Sequence, residues 1–354
     1  MSFDLILPFL RPIECFLSDD DVTEIMINPS GKVFIERLGG LTEVPDVTVN
    51  PKYVNIAVKN IAHLLGDDIS ESRPILDARL PDGSRVAVIF PPCSIGGTTL
   101  TIRKFRRRPF TVADLIDAGT LDSKIAGWLV EAVLGKKNLL ISGGTGAGKT
   151  TLLSALLSEI PEQERIILIE DTAEICLAKP NLLRFEARRA VAGVPEVSIR
   201  DLVKASLRHR PDRIIVGEVR GGEAFDLLQA LNTGHSGSVS TVHASSAARA
   251  LTRLAHCILQ SGVALPYVAA CSQIGDAIDA VVQIERRDGR RLLTELVAID
   301  GFDHGRDEFA LRTIYRRGDD LGGLEPSEPG SFPPGRQPSA AGTSRRISKL
   351  GRSA

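Results

Sequence analysis

Eight consecutive residues, Gly143, Gly144, Thr145, Gly146, Ala147, Gly148, Lys149 and Thr150, complete a GxxxxGK[ST] pattern. Glycines in such a loop let the backbone approach a polyphosphate with its N–H groups turned inward, and the helix that follows directs its positive end at the same anion. Lys149 then supplies charge for the β- and γ-phosphates, and the Thr150 hydroxyl suits Mg²⁺. Thr151 continues the loop into the helix. A Gly-rich turn is the plain alternative, but the flanks favour the loop: Leu139 to Ser142 is strand-like and Leu152 to Leu157 is helix-like.

Two other apolar runs end in acids. Ile166 to Ile169 precedes Glu170 and Asp171, and Ile214 to Val216 precedes Gly217 and Glu218. In a parallel sheet, the carboxyl ends of the strands face the ligand crevice. One acid there should hold Mg²⁺ or its waters, and another should orient or deprotonate the attacking water. Glu218 is the expected base. An aspartate commonly precedes that glutamate, whereas this chain has Gly217, so Glu170 or Asp171 is expected to take over the metal. Either acid, taken alone, could equally be an exposed charge at a strand end.

The elements that must position these groups follow from periodicity and turn chemistry. Thr23 to Asn28 and Val33 to Arg37 flank Pro29-Ser30-Gly31 as a hairpin, and Pro51 to Leu65 carries apolar residues at helical spacing. Ile75 to Leu80 and Arg85 to Phe90 flank Pro81-Asp82-Gly83, and Thr98 to Phe105 adds a strand. Residues 1–105 thus read as a small α+β domain, 106–111 as a linker beginning Arg106-Arg107-Arg108-Pro109, and 112–318 as an α/β domain. Buried strands are expected at Asn138 to Ser142, Arg165 to Ile169, Arg213 to Val216 and Ser238 to Val242, alternating with helices over a parallel sheet. Asp288-Gly289 marks a closing hairpin. Residues 319–354, rich in Gly, Pro and Ser, cannot bury enough apolar surface to offset chain entropy and are predicted to be disordered.

With these residues in place, a family resemblance emerges. LIEDTAEI (168–175), SLRHRPDRIIVGEVRGGEA (206–224) and NTGHSGSVSTVHASS (232–246) resemble the aspartate box, Walker B segment and histidine box of the secretion and pilus-assembly ATPases. Upstream, SRPILDARLPDGSRV (72–86) and LTIRKF (100–105) resemble that family's N-terminal nucleotide-facing segment. The resemblance implies a RecA-like P-loop motor domain behind a small α+β domain, ATP and Mg²⁺ as cofactors, and a homo-hexameric ring. It further implies a cytoplasmic location, peripheral to the inner membrane, and a membrane platform protein as partner. Carried over by motif, Glu218, Glu170, His243, Arg220 and Arg208 would be catalytic, and Arg85 and Arg103 would close onto nucleotide. No acid near Arg85 and Arg103 in sequence explains both as surface ion pairs. The tetracysteine insertion common in type II secretion and pilus-extension members is missing, which points to the type IV secretion and tight-adherence pilus branch.

Composition narrows the alternatives. Aromatic residues are 5% of the chain and the formal net charge is −1, which disfavours a RecA-like nucleic-acid motor and makes nucleic acid an unexpected partner, while a conjugative DNA-transfer ATPase stays open as an alternative. Cys15, Cys93, Cys176, Cys257 and Cys271 lack metal-site spacing and read as buried or inert thiols. His243 and His235 follow buried or Gly-rich segments, where a histidine is more often a satisfied core or capping group. The resemblance makes His243 a γ-phosphate sensor. Trp128 sits among apolar residues at helical spacing and reads as core. The basic residues Arg336, Arg345, Arg346, Lys349 and Arg352 could touch anionic lipid, though a solvating tail is the simpler expectation.

Overall fold

The computed structural model describes residues 7–318, apart from 38, 106, 107, 189 and 191–193. The first two residues of the expected linker and all of the expected tail, 319–354, therefore lie outside the described residues.

Six strands form an N-terminal antiparallel sheet: β1 (Val22–Ile27), β2 (Lys32–Arg37), β3 (Gly40–Thr48), β4 (Ile75–Arg79), β5 (Arg85–Ile89) and β6 (Thr99–Arg103), in the order β3-β2-β1-β6-β5-β4. The helix Pro51–Leu64 covers one face; the Asn50 side chain accepts from Lys52 N–H, and Val54, Ala57, Val58 and Ile61 are buried. That capping contact satisfies one of the donors a helix leaves unpaired at its start. On the other face, register sets up a line of charge. Glu36 lies opposite Glu24, Glu24 opposite Arg103, Arg103 opposite Arg85 and Arg85 opposite Arg79. Directly opposed residues share a face of the sheet, so side chains drawn from Glu24 to Arg103 become one row.

The second layer system is built on β7 (Leu139–Gly143), β8 (Ile166–Glu170), β9 (Leu182–Glu186), β10 (Arg213–Val216), β11 (Val239–His243), β12 (Ala280–Arg287), β13 (Arg290–Asp303) and β14 (Glu308–Arg316). Strands β10-β8-β9 are parallel, as are β11-β7-β12, while β13 and β14 add antiparallel to β12. A bridge between Val219 and Val242 joins the two groups. Helices cover both faces, each over its own apolar cluster. Trp128 is buried in one of these, as its spacing predicts.

Three strands escaped the sequence reading. β3 contains Pro45 and is largely exposed, so it shows no alternation; a proline within a run also argues against a strand except at an edge, which is where β3 sits. β9 and β14 are likewise edge strands with mixed burial. Two cysteines also differ from expectation. Cys15 and Cys93 are exposed, whereas Cys257 and Cys271 are buried.

Arg213, which opens β10, is fully buried. Its Nε and Nη2 donate to Glu164 at 2.7 and 3.0 Å, and Nη1 donates to the Val133 carbonyl at 2.7 Å. The bond from Arg213 holds the Glu164 carboxyl below its usual range. Removing Arg213 takes two bonds from Glu164, which keeps Lys136 at 3.3 Å, at a cost of about 1–3 kcal/mol. Arg213→Met should lower the denaturant midpoint accordingly. The sign with pH follows from the depressed value: the pair's contribution is complete above the ordinary glutamate range and is lost as pH falls through the lowered native one. Acid titrations of wild type and variant should therefore converge at low pH.

Candidate active site

The phosphate loop leaves β7 at Gly143 and enters the helix Lys149–Ser158. Gly146 and Gly148 have φ of +71° and +100°, a region L side chains rarely adopt. The loop glycines are thus required by conformation. Lys149 Nζ donates to the Gly143 and Gly144 carbonyls at 3.1 and 3.0 Å, and lies 3.3 Å from His243 Nδ1. Burial, the largest influence, draws its pKa below the usual lysine value.

His243 ends β11, paired with Gly143 at the end of β7. Burial and then the Lys149 charge hold its pKa below normal. A neutral ring can accept from Lys149 at Nδ1 and present Nε2–H to Glu218. Nε2 is 2.7 Å from Glu218 Oε1, yet the contact is not aligned as a hydrogen bond: Oε1 is buried without a partner. With the ring neutral this is a close polar contact, too poorly aligned to count as a bond. Arg220 Nη2 donates to Glu218 Oε2 at 2.6 Å, and its Nη1 to Asp171 at 3.2 Å. Lys149, His243, Glu218, Arg220 and Asp171 therefore form one continuous chain.

Glu170 is differently placed. It is 4% exposed; Oε1 accepts from the Glu174 and Ile175 amides, both at 2.8 Å, and Oε2 accepts from Arg184 at 3.1 Å. Burial pushes its pKa up, against the pull of those bonds. Both oxygens thus already accept from the protein, while the residue still lines the recess beside Thr150, Asp171 and Glu218. Its side chain holds the 171–175 turn. It also accounts for Gly217: a Cβ there would lie 3.1 Å from Glu170 Cγ, so an acid at 217 would have to displace it.

Arg208 is not brought to this site. It sits exposed on the 3₁₀ turn Leu207–His209, whose His209 carbonyl accepts from Arg165. Arg165 precedes β8, so this is the sheet end opposite Glu170 and Glu218. His235 packs its ring against the Ala230 carbonyl at the end of a helix, 3.3 Å away, as a capping group would.

Facing the loop, the charged row of the N-terminal sheet closes a cleft of about 200 Å³ lined by Arg85, Arg103, Phe105, Phe110, Thr150 and Thr151. Arg85 and Arg103 are not free of local acids, contrary to the sequence reading. Arg85 makes a two-pronged pair with Asp77 at 3.0 and 2.8 Å, which raises its pKa, and Arg103 lies 3.6 Å from Glu24. Both also reach across to Glu174 of the motor layer, at 3.8 and 3.3 Å. Arg79 bridges to Glu186 at 2.8 Å. Glu174, Arg184 and Arg291 were missed as site residues, because local sequence carries no sign of which distant element they meet.

Among the described residues no cluster of three His, Cys, Asp or Glu side chains forms a metal cage. Thr150, Glu170, Asp171 and Glu218 line a common recess. That donor set fits Mg²⁺, which keeps several waters and takes its remaining oxygens from phosphates.

Fold and site together define a P-loop ATPase with a RecA-like motor domain behind an α+β sheet domain. The type II/IV secretion system protein family model matches residues 10–295, and the chain belongs to that family. It is 37% identical over 291 residues to the conjugal transfer protein TrbB of Rhizobium radiobacter, covering 81% of this chain and 86% of that protein. To the type IV secretion system protein PtlH homolog of Bordetella bronchiseptica it is 37% identical over 328 residues, covering 85% and 96%. The X-ray structure of the Legionella pneumophila ATPase DotB shares the fold, with a TM-score of 0.59 and 21% identity over 84% of this chain and 82% of that one. The protein is an ATP hydrolase of the secretion ATPases, on the type IV side of the family. No helix among the described residues is long and apolar enough to cross a membrane.

Proposed function

We propose that the protein works as a homo-hexameric ring on the cytoplasmic face of the inner membrane, against a membrane-embedded platform protein, where ATP hydrolysis drives closure between the N-terminal sheet and the motor layer. The observation that carries this reading is the charged row Glu24, Arg103 and Arg85, set across the cleft from Thr150 and Thr151 at the end of the phosphate loop. Glu218 acts as the general base, with Arg220 fixing one oxygen and His243 beside the other. Thr150 and Asp171 would hold Mg²⁺, whose charge would offset that of the phosphates when bound. Arg85 and Arg103 exchange Glu174 for developing phosphate charge, a task suited to the planar guanidinium fork.

Arg85→Ala or Arg103→Ala should cut turnover by about a hundredfold while nucleotide affinity falls less, because the loss is concentrated in the transition state. ATPase rate per wild-type subunit should rise with protein concentration as sedimenting rings appear. A fully active monomer, or normal turnover in either variant, would contradict the proposal. A conjugative DNA-transfer ATPase is the second reading, favoured by the likeness to the TrbB protein. Stimulation of turnover by single-stranded DNA would select it.

A further inference from the structure

Among the described residues, the one contact in the cleft where charge is reversed involves Arg291, at the start of β13. Elsewhere, N-terminal arginines meet motor acids. Here a motor arginine meets an N-terminal acid: Nη2 lies 3.5 Å from Glu36 Oε1. Through Nε the same guanidinium donates to the Gly146 carbonyl of the phosphate loop at 3.3 Å. Its stem is packed on the loop too, for a Cβ at Gly148 would lie 3.0 Å from Arg291 Cδ. Arg286, across the same hairpin, donates to the Gly39 carbonyl between β2 and β3, and a Cβ at Gly39 would lie 3.1 Å from Arg291 Nη1. The hairpin is thus wedged between the phosphate loop and the tip of the N-terminal sheet.

The peptide joining Gly146 to Ala147 is held from both sides. Its carbonyl accepts from Arg291, and its N–H donates to the Gly144 carbonyl at 3.3 Å. A trans peptide is planar, with C=O and N–H pointing opposite ways, so fixing the oxygen fixes where the Ala147 N–H can turn. Glu36 in turn fixes the guanidinium, and itself accepts from Thr23 Oγ1 at 3.1 Å on β1. We infer that Arg291 is a positioning residue that sets the Gly146–Ala147 peptide of the phosphate loop and, through Glu36, makes that setting depend on contact with the N-terminal sheet. This rests on the phosphate loop being the ATP site. The consequence is that cleft opening loosens the loop and weakens its hold on nucleotide.

The test compares wild type with Arg291→Ala, Arg291→Lys, Glu36→Gln and the Arg291→Ala/Glu36→Gln double variant, using a fluorescent ATP analogue for Kd and steady-state turnover for KM and kcat. Losing one charge-assisted hydrogen bond that orders the loop should raise Kd and KM about tenfold in Arg291→Ala, with kcat within about twofold of wild type. Glu36→Gln should give part of that loss, and the double variant should be no weaker than Arg291→Ala alone, since both changes break one linkage. Lysine keeps the charge but cannot reach two acceptors with one planar fork, so Arg291→Lys should resemble alanine more than arginine. Unchanged Kd and KM in Arg291→Ala, full recovery in Arg291→Lys, or strictly additive losses in the double variant would each overturn the inference. A Lys149→Ala control separates this from the site assignment: if that variant binds the analogue normally, the ATP site itself is misplaced.

Discussion

Lys149→Ala is expected to lose ATP turnover by on the order of a thousandfold or more, with a melting temperature close to wild type. The side chain is buried in the phosphate loop, and its bonds go only to the Gly143 and Gly144 carbonyls, with His243 beside it. None of those partners depends on lysine for the fold: β7 and β11 are paired through their backbones. What the ammonium supplies is a charge directed at the β- and γ-phosphates, where a water-poor recess strengthens it. Burial lowers its pKa, so the charged form is less favoured before nucleotide arrives than in an exposed lysine. A bound polyphosphate raises it again, which couples protonation to binding and favours nucleotide at the acid side of that titration. Turnover in a coupled assay and a thermal melt, run together, check both parts. Wild-type turnover would remove the phosphate loop as the catalytic site.

The motor strands β7, β8 and β10 were readable as short, largely apolar runs and β11 by its β-branched Val239, Thr241 and Val242, and their carboxyl ends carry the residues that do chemistry. Gly143 to Thr150, Glu218 and His243 sit where that reading places them, at the ends of strands that are neighbours in the sheet. Glu170 sits at its expected strand end and has a further task the sequence does not announce. Nothing in LIEDTAEI says that two backbone amides and Arg184 will occupy its oxygens; that depends on the 171–175 turn folding back and on β9, an edge strand with no clear pattern. Arg85 and Arg103 were picked out by motif, whereas their row with Glu24 and Glu36 depends on the pairing of β1 with β6, strands separated by a helix and a hairpin. Register of that kind is set by tertiary contacts and leaves no local trace. Arg291 was hidden for the same reason. Its hairpin turn, with Asp288 and Gly289 both at positive φ, was legible from Asp-Gly, but the surface that the hairpin rests on was not.

Glu218→Gln should leave ATP binding intact and slow hydrolysis by on the order of a thousandfold. The amide preserves shape and can still accept from Arg220 through its oxygen, but it can neither take a proton from water nor hold the charge that Arg220 and His243 flank. Replacing Glu170 by glutamine should behave differently, since that carboxylate orders a turn. The most direct measurement is the identity of the nucleotide retained by Glu218→Gln after mixing with radiolabelled ATP and Mg²⁺, separated from free nucleotide and resolved by chromatography. Intact ATP bound at near wild-type affinity, with little ADP formed over many wild-type turnover times, is the predicted result. ADP appearing at the wild-type rate would contradict the assignment of Glu218 as the base and, with it, the chain from Lys149 through His243 to Arg220 as the hydrolytic centre.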